Sequence, residues 1–353
     1  MSVSFAQRRA FLHSAGGAYL RRAAPLRSPS AAPITGALKH RRPALRAAVI
    51  AVVVTAWIVV STKARGEDAA PLLVTEIASG IFVHAGVQQD ASAANDDAIA
   101  NIGFILGDDA VAVVDPGGSY REGEALRAAI RARTALPIRY VIMTHVHPDH
   151  IFGAAAFRAD GPEFVGHAKL PGALAERGEY YLRRLRETLG PRAEGSAVVA
   201  PTRLVAAKLD VDLGNRRLEI VAHGPAHTDN DLSVYDDKTR TFWLADLLFV
   251  GRIPVVDGSL VGWLKELGSL TAIAADRAVP GHGPPSVPWP ASAAAERRYL
   301  ETLAHDTRAA LKGGLGIAEA VPKIGQSERG RWLLFDDYNA RNATASYKEL
   351  EWE

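Results

Sequence analysis

The stretch Thr144-His145-Val146-His147-Pro148-Asp149-His150 follows the apolar run 139–143 and is the most informative motif of the chain. It holds three of the chain's 11 histidines and one aspartate within six positions. A strand that ends here points alternate side chains the same way, so that His145 and His147 can share one metal ion. Asp149 and His150 then face a second ion. Imidazole suits zinc and similar ions, and a nearby carboxylate suits a second ion or the orientation of a bound water. The pattern therefore predicts a metal centre, in preference to a polar turn with scattered histidines.

The spacing His-x-His-x-Asp-His at 145–150 resembles the signature of the metallo-β-lactamase-fold hydrolases. Three later motifs follow in the family's order, and the resemblance spans about residues 72–285. They are His227 within 224–229, Asp246, which is expected to end the apolar strand 241–246, and His282 after a Pro-Gly pair. The resemblance implies that one metal ion is held by His145, His147 and His227, and the other by Asp149, His150 and His282, with Asp246 bridging.

The resemblance implies two Zn²⁺ ions as cofactors, with iron or manganese as other divalent candidates. A hydroxide held by both ions would attack a carbonyl group that one ion polarises, and the second ion would receive the leaving group. Asp149 and Asp246 are the candidate catalytic residues, because carboxylates there would keep this water in place and pass its proton onward. The small-molecule substrate would be an ester, thioester, lactone or amide.

The segment 251–264 is similar to an exported branch of the family, the quinoprotein relay system zinc metallohydrolases, which is related to a sulfur-oxidation-cluster hydrolase. The segments 228–232 and 347–353 resemble the same branch. In this interpretation the substrate pocket is lined by Arg252, Asp257, Ser259 and Trp263, and a periplasmic redox system supplies a partner. The alternative is a structural loop with an internal ion pair between its arginine and its aspartate.

Other functions stay open. A class B-type β-lactamase or a glyoxalase II-like thioesterase would use the same attack, and Asp246 neither requires nor excludes lactam hydrolysis. A single-iron site would instead carry persulfide or oxygen chemistry. A metal-dependent periplasmic binding partner is the non-enzymatic alternative, although an open two-metal site argues against it. A serine hydrolase of the GxSxG type is excluded because no such motif precedes a helix.

The predicted fold class is α+β. Strand-like runs occur in two batches, at 72–115 and 209–245, and helical segments follow each batch. This order suits two mixed sheets packed face to face with helices outside, and the resemblance implies the same four-layer αβ/βα sandwich. Helices are expected at 122–133, 151–158 and 173–189, and Asp115 is expected to stabilise the loop that it begins. The hydrolase domain would span 72–288, with a helical C-terminal extension at 289–353 packed on it.

Residues 1–66 read as a basic leader, since they contain 11 of the 41 Lys and Arg and no acidic residue. Within it, Arg8-Arg9 resembles a twin-arginine signal. The apolar run 47–60 follows Arg41-Arg42 and predicts an export signal or an N-terminal membrane anchor, hence a periplasmic or exported protein. The remaining chain has a net charge of 30 − 39, or −9, which argues against a nucleic-acid partner.

The chain contains no cysteine. This excludes disulfides and thiolate ligands. It also excludes the β-lactamase subclass that has a cysteine where Asp246 stands.

Overall fold

Two mixed β-sheets pack face to face in the computed structural model, which describes residues 69–353. The predicted leader 1–66, with its apolar run 47–60, lies outside the described residues. None of the helices within residues 69–353 combines the length and the hydropathy that are needed to cross a bilayer.

The first sheet has seven strands in the spatial order of the chain. They are β1 (Thr75–Ala78), β2 (Ile81–His84), β3 (Ile102–Leu106), β4 (Val111–Val114), β5 (Ile138–Met143), β6 (Glu163–His167) and β7 (Arg203–Val205). Strands β1 to β4 pair antiparallel, whereas β4 to β7 pair parallel. All four residues of β4 are buried, as expected for a strand with both faces covered.

The second sheet has six strands in the order β8 to β13. They are β8 (Lys208–Asp212), β9 (Arg217–Ala222), β10 (Leu232–Asp236), β11 (Thr241–Phe249), β12 (Arg277–His282) and β13 (Val287–Pro288). Only the β11–β12 pair is parallel. Strands β6, β7, β12 and β13 have no counterpart among the predicted strands, because they are short or contain glycine and proline, which mask an alternating pattern.

The helices lie outside the two sheets. They are α1 (Tyr120–Arg131), α2 (Pro148–Ile151), α3 (Leu170–Leu189), α4 (Leu260–Thr271), α5 (Ala294–Lys312), α6 (Ile317–Ala320) and α7 (Phe335–Leu350). Short 3-10 helices occur at Ala154–Asp160, Gly190–Ala193, Ala291–Ala293 and Gln326–Glu328.

Three apolar clusters define the layers. The inner cluster joins the facing sides of the two sheets, for example Val114 and Ile142 with Trp243 and Val279. A second cluster lies between the first sheet and helices α1 and α3, and a third between the second sheet and helices α4, α5 and α7. The predicted four-layer αβ/βα sandwich is therefore confirmed.

The prediction that Asp246 ends its strand is wrong, because β11 continues to Phe249. The register against β12 shifts on both sides of Ala245, whose φ is +46°. An irregularity of this kind can change the direction of neighbouring side chains, and Asp246 is the next residue. The aspartate thus lies within a buried strand and not in a loop.

The predicted helix 151–158 is also wrong. Helix α2 ends at Ile151, and a 3-10 helix begins at Ala154. Gly153 separates them, and its N–H donates to the carbonyl of Gly117 at 2.8 Å. A Cβ at this position would come within 2.0 Å of the carbonyl oxygen of Pro116. The loops after β4 and β5 therefore meet at a glycine that no larger residue can replace without displacement.

The C-terminal helix α7 holds the loop 250–259. The side chain of Asn342 donates to the carbonyl of Pro254 at 2.6 Å and accepts from the N–H of Val256 at 3.0 Å. The carboxylate of Glu349 accepts from the hydroxyl of Ser259 at 2.6 Å and from the N–H of Leu260 at 2.7 Å. Residues from the end of the chain thus position the loop that follows Asp246.

The buried carboxyl of Glu296, on α5, is expected to make the stability of the protein depend on pH. This carboxyl is fully buried; Oε1 accepts from the N–H of Phe249 at 3.0 Å, and Oε2 has no partner. Burial raises the pKa of Glu296 well above its usual value of 4.5. The protonated form is thus favoured in the folded state, and this stabilisation is lost as pH rises above 4.5 through the folded-state pKa.

We therefore expect Glu296→Gln to gain stability relative to the native chain as pH rises. Urea-unfolding midpoints at acidic, neutral and alkaline pH measure this gain. Glu301→Gln is the matched control, because Glu301 is exposed on the same helix. A constant difference between Glu296→Gln and the native chain across the pH range would contradict the prediction.

Candidate metal centre

Seven histidine and aspartate side chains meet at one end of the sandwich. His145 and His147 follow β5, and Pro148 then begins α2, as is common for the first residue of a helix. His227 lies between β9 and β10. The ligand atoms of His145, His147, His227 and Asp246 lie within 4.8 Å of one another, as do those of Asp149, His150 and His282. The structure brings together all seven residues that the sequence analysis names as ligands.

The first group presents three ring nitrogens to one point. Nδ1 of His147 lies 3.2 Å from Nε2 of His145 and 2.8 Å from Nε2 of His227. Burial lowers the pKa of His227 to about 3, so its imidazole is neutral at neutral pH. Burial lowers the pKa of His145 as well. Neutral imidazoles that face each other are the donor set that zinc requires.

The second group shares Asp246 with the first. Oδ2 of Asp246 lies 3.2 Å from Nε2 of His227 and 3.5 Å from Nε2 of His282, while Oδ1 lies 3.1 Å from Nε2 of His150. Oδ2 of Asp149 lies 3.3 Å from Nε2 of His282. Despite this closeness, Nε2 of His150 and Oδ1 of Asp246 are buried without a hydrogen-bond partner. Two orphaned ligand atoms fit a site that a metal ion completes.

The outward nitrogens of three histidines bind oxygen atoms. Nδ1 of His227 contacts the carbonyl of Val255 at 2.7 Å, and Nδ1 of His282 contacts the carbonyl of Ile99 at 2.9 Å. Nδ1 of His145 contacts the hydroxyl of Thr144 at 3.0 Å. An oxygen acceptor places the ring proton on the outward nitrogen and leaves the inward lone pair free for a metal ion.

Asp115 plays the same part for His150. Its Oδ2 lies 2.8 Å from Nδ1 of His150, and the carboxylate also accepts from the N–H and hydroxyl of Thr144 at 2.8 and 2.9 Å. Asp115 was predicted to stabilise its loop, and its contact with His150 was not predicted. The only sequence signal is an aspartate between a buried strand and Pro-Gly-Gly. Its pairing with a residue 35 positions later requires the fold.

Asp257 holds the outward nitrogen of His147. Its Oδ2 lies 3.1 Å from Nε2 of His147 and 2.5 Å from Nη1 of Arg177, and its Oδ1 lies 3.3 Å from Nη2 of Arg341. Hydrogen bonds and charge from these partners outweigh burial and hold the pKa of Asp257 well below its usual range. The proposed internal ion pair with Arg252 is wrong, because Asp257 pairs with arginines from α3 and α7.

We expect Asp257→Ala to weaken zinc binding about 10- to 100-fold, the usual effect of removing a carboxylate that orients a histidine ligand. Competition with a chromophoric chelator measures the dissociation constant. Asp229→Ala is the matched control, since Asp229 is an exposed aspartate two positions from His227. Equal zinc affinities of the two variants would contradict the orienting role.

Three of the four predicted substrate residues do not line the cavity beside the metal groups, and Asp257, which contacts His147 from outside it, is the first. Ser259 accepts from the N–H of Gly262 at 2.8 Å and caps helix α4. Trp263 is fully buried, with its ring 5.4 Å from that of His227 and its N–H directed to the carbonyl of Leu247. Neither lines the cavity beside the metal groups, because helix capping and core packing occupy both side chains. Arg252 does line it.

The cavity beside the two groups has a volume of about 240 Å³. Besides the candidate ligands, its walls include Tyr181 from α3, Phe249, Arg252, and Tyr338 and Arg341 from α7. Aromatic and cationic side chains from the C-terminal extension thus face the same space as the candidate ligands.

Comparison with known proteins places this arrangement in a family. The family model described as the metallo-beta-lactamase superfamily matches residues 95–282, more than half of the chain. A linear primary-alkylsulfatase from Pseudomonas sp. is 26% identical over 208 residues, covering 49% of this chain and 39% of the relative. The chain therefore spans well under half the length of that relative.

Solved structures share the fold. A metallo-beta-lactamase from Pontibacter korlensis aligns with a TM-score of 0.54 and 18% identity over 65% of this chain and 99% of its own. The protein TMB-1 aligns with a TM-score of 0.52 and 17% identity over 65% and 97%. A double mutant of the sec-alkyl sulfatase PisA1 aligns with a TM-score of 0.60 and 16% identity over 79% and 50%. The matched segment covers more than half of the chain and contains all seven candidate ligands, so the chain belongs to the metallo-β-lactamase superfamily.

Proposed function

We propose that the protein is a dinuclear zinc hydrolase that cleaves an ester-type bond. One observation carries the proposal: the inward atoms of seven buried or half-buried ligands converge, and hydrogen bonds to oxygen hold the outward nitrogens of the histidines. A purely structural role for this cluster would be costly, since it would leave a buried nitrogen of His150 and a buried oxygen of Asp246 unpaired.

The residues divide between two ions. His145, His147 and His227 would hold one ion and Asp149, His150 and His282 the other, with Asp246 facing both. When bound, the ions would supply a water of lowered pKa and would polarise the scissile bond. Three imidazoles without a thiolate suit zinc, whereas the carboxylates also admit iron or manganese.

Asp149 and Asp246 would transfer the proton of the attacking water and orient that water. Asp149 lies at the cavity wall, and its Oδ2 is 3.3 Å from Nε2 of His282. From this position its carboxylate can accept the proton of an attacking water and return it to the leaving group. Asp246, which is almost fully buried, would keep that water oriented between the two groups.

Sulfate-ester hydrolysis is the second candidate function. It is favoured by the relative from Pseudomonas sp., a linear primary-alkylsulfatase that aligns at 26% identity. The likeness to metallo-β-lactamase structures lies at 17 to 18% identity and bears on the fold alone, so it does not favour lactam hydrolysis.

The test is a substrate panel with protein stripped of metal and reloaded with zinc, iron or manganese. The panel contains a 4-nitrophenyl carboxylic ester, a thioester, a lactone, nitrocefin and an alkyl sulfate. We expect turnover of an ester to require two equivalents of zinc. Binding of a single iron, or metal-loaded protein that hydrolyses no member of the panel, would overturn the proposal.

We further propose that the protein acts outside the cytoplasm, possesses an export signal or inner-membrane anchor at 47–60, and serves a periplasmic redox system. The basic leader and the similarity of 251–264 to the quinoprotein relay branch support this proposal. Cell fractionation of the full chain and of a chain lacking 1–66 tests it. A cytoplasmic full-length chain would contradict it.

A further inference from the structure

Arg252 has a buried guanidinium with too few acceptors. The residue is 4% exposed, and its Nε has no hydrogen-bond partner. Nη1 donates to the carbonyl of Gln89 at 3.2 Å. A guanidinium carries five N–H donors, so most of its capacity is unused. A buried cation in this condition is costly unless an anion compensates it.

The contact between Arg252 and His282 does not supply an acceptor. Nη1 lies 3.3 Å from Nδ1 of His282, but that nitrogen lies 2.9 Å from the carbonyl of Ile99. Because Ile99 offers only an acceptor, Nδ1 must carry the proton, and two donors then face each other. His282 therefore leaves the N–H groups of Arg252 without an acceptor at this contact.

Carboxylates near Arg252 are distant or engaged. Among residues 69–353, the one carboxylate within 4.0 Å is that of Asp90, at 3.9 Å. Asp90 is 54% exposed at its side chain, and it accepts from the hydroxyl of Tyr338 at 2.6 Å. Asp97 is buried nearby but lies beyond ion-pair distance. Within residues 69–353, no carboxylate therefore lies within hydrogen-bond distance of the Arg252 guanidinium.

Arg252 lies on the wall of the cavity that holds the candidate ligands. The ring of Tyr338 lies 5.8 Å from its guanidinium carbon and fixes the position of the charged group. A second cation, Arg341, lines the same cavity from α7. Two divalent ions would outweigh the negative charges of Asp149 and Asp246, so the loaded cavity would attract anions.

We propose that Arg252, with Arg341 at the cavity wall, binds an anionic group of the substrate, namely a carboxylate, sulfate or sulfonate. The planar guanidinium matches the paired oxygens of such groups. This inference rests on the proposed hydrolase function, since the anionic group belongs to the molecule that is cleaved.

An adjoining cavity indicates what the rest of the substrate is. It has a volume of about 280 Å³ and shares Ile99, Pro148, Asp149, Tyr181 and Tyr338 with the first. Leu185 and Ala91 extend its wall. Asp90, Asp97, Arg184 and Thr188 add polar groups to this wall. Its apolar and aromatic part fits an anionic ester with an apolar or aromatic remainder.

The first arm of the test uses the zinc-loaded full chain and two esters of similar size. Mono-4-nitrophenyl succinate carries a carboxylate, and 4-nitrophenyl butyrate is neutral. We expect kcat/KM to be at least about 10-fold higher for the succinate ester, and Arg252→Gln to remove this preference, mainly by raising KM for that ester. Arg341→Gln should lower it less, because Arg341 is exposed and also binds Asp257. Arg183→Gln, on the exposed face of α3, is the matched control.

The second arm measures binding by calorimetry and does not depend on turnover. Succinate and benzenesulfonate are titrated into zinc-loaded native and Arg252→Gln protein, after metal content and thermal midpoint are matched. We expect the variant to bind at least one anion about 10-fold more weakly. The anion that binds the native protein more tightly identifies the anionic group of the substrate. Arg252→Lys, which keeps the charge but not the planar fork, should recover part of the affinity.

The outcomes separate the two proposals. If both esters are hydrolysed equally well and Arg252→Gln changes neither preference nor anion binding, the anion site is wrong and the hydrolase proposal stands. If no ester is hydrolysed but anion binding still requires Arg252, the anion site stands and the proposed function is wrong. Anion binding that Arg252→Gln leaves unchanged overturns the site in every case.

Discussion

His227→Ala is expected to lower zinc-dependent hydrolysis by on the order of 10³-fold and to remove one equivalent of bound zinc. His227 is fully buried, its Nε2 lies 2.8 Å from Nδ1 of His147 and 3.2 Å from Oδ2 of Asp246, and its Nδ1 binds the carbonyl of Val255. Removing the imidazole takes away one of the three histidines of the first group, and the carboxylate that remains also faces the second group, so the first ion is held less tightly. Metal content by mass spectrometry and single-substrate kinetics measure the two effects.

The control for this variant is His223→Ala. His223 is four positions earlier, and its ring nitrogens contact Glu266 at 3.1 Å and Ser233 at 2.7 Å, away from the metal groups. We expect this variant to keep its zinc content. If His223→Ala and His227→Ala lost zinc and activity equally, the assignment of His227 as a ligand would be wrong. Thermal midpoints of both variants exclude general unfolding as the cause.

Asp236→Ala is expected to cost about 3 to 5 kcal/mol of unfolding free energy, the usual result of leaving one partner of a buried ion pair alone. The guanidinium of Arg216 donates to both carboxylate oxygens of Asp236, at 2.8 and 2.9 Å, and the two side chains are 2% and 1% exposed. The same guanidinium donates to the carbonyls of Ser79 and Leu106. It therefore ties the β8–β9 turn of one sheet to two turns of the other.

Urea unfolding at fixed zinc concentration measures this loss. Asp237→Ala is the matched control, because Asp237 is the exposed neighbour and should change stability by less than about 0.5 kcal/mol. Replacing both partners by apolar residues, Arg216→Met with Asp236→Leu, should recover most of the loss, since no charge then remains buried. A loss below about 1 kcal/mol in Asp236→Ala would show that Arg216 finds another partner or water.

The C-terminal extension contributes to the site beyond what its sequence indicates. Helix α7 supplies Tyr338 and Arg341 to the cavity, and its Asn342 holds the loop that contains Arg252. The family match ends at residue 282. Residues outside the matched segment therefore shape the space in which a substrate would lie.

The local pattern of the amino-acid sequence indicated the fold class and the four ligands at 145–150, and the family resemblance implied His227, Asp246 and His282. The ligands of one short loop lie at fixed offsets after a buried strand, and the alternation of apolar residues marks two batches of strands, so both features are local. The strand past Asp246 escaped prediction, because a charged residue after the apolar run 241–245 is typical of a strand end.

The groups that support the ligands, and those that face the cavity, could be identified only from the three-dimensional structure. Asp257 reaches His147 across 110 positions of sequence, and Asp115 reaches His150 across 35. The environment of Arg252 depends on Gln89, Tyr338 and His282, which come from three separate parts of the chain. Hydrogen bonds and charge compensation of this kind depend on distance in space, and no local pattern of residues encodes that distance.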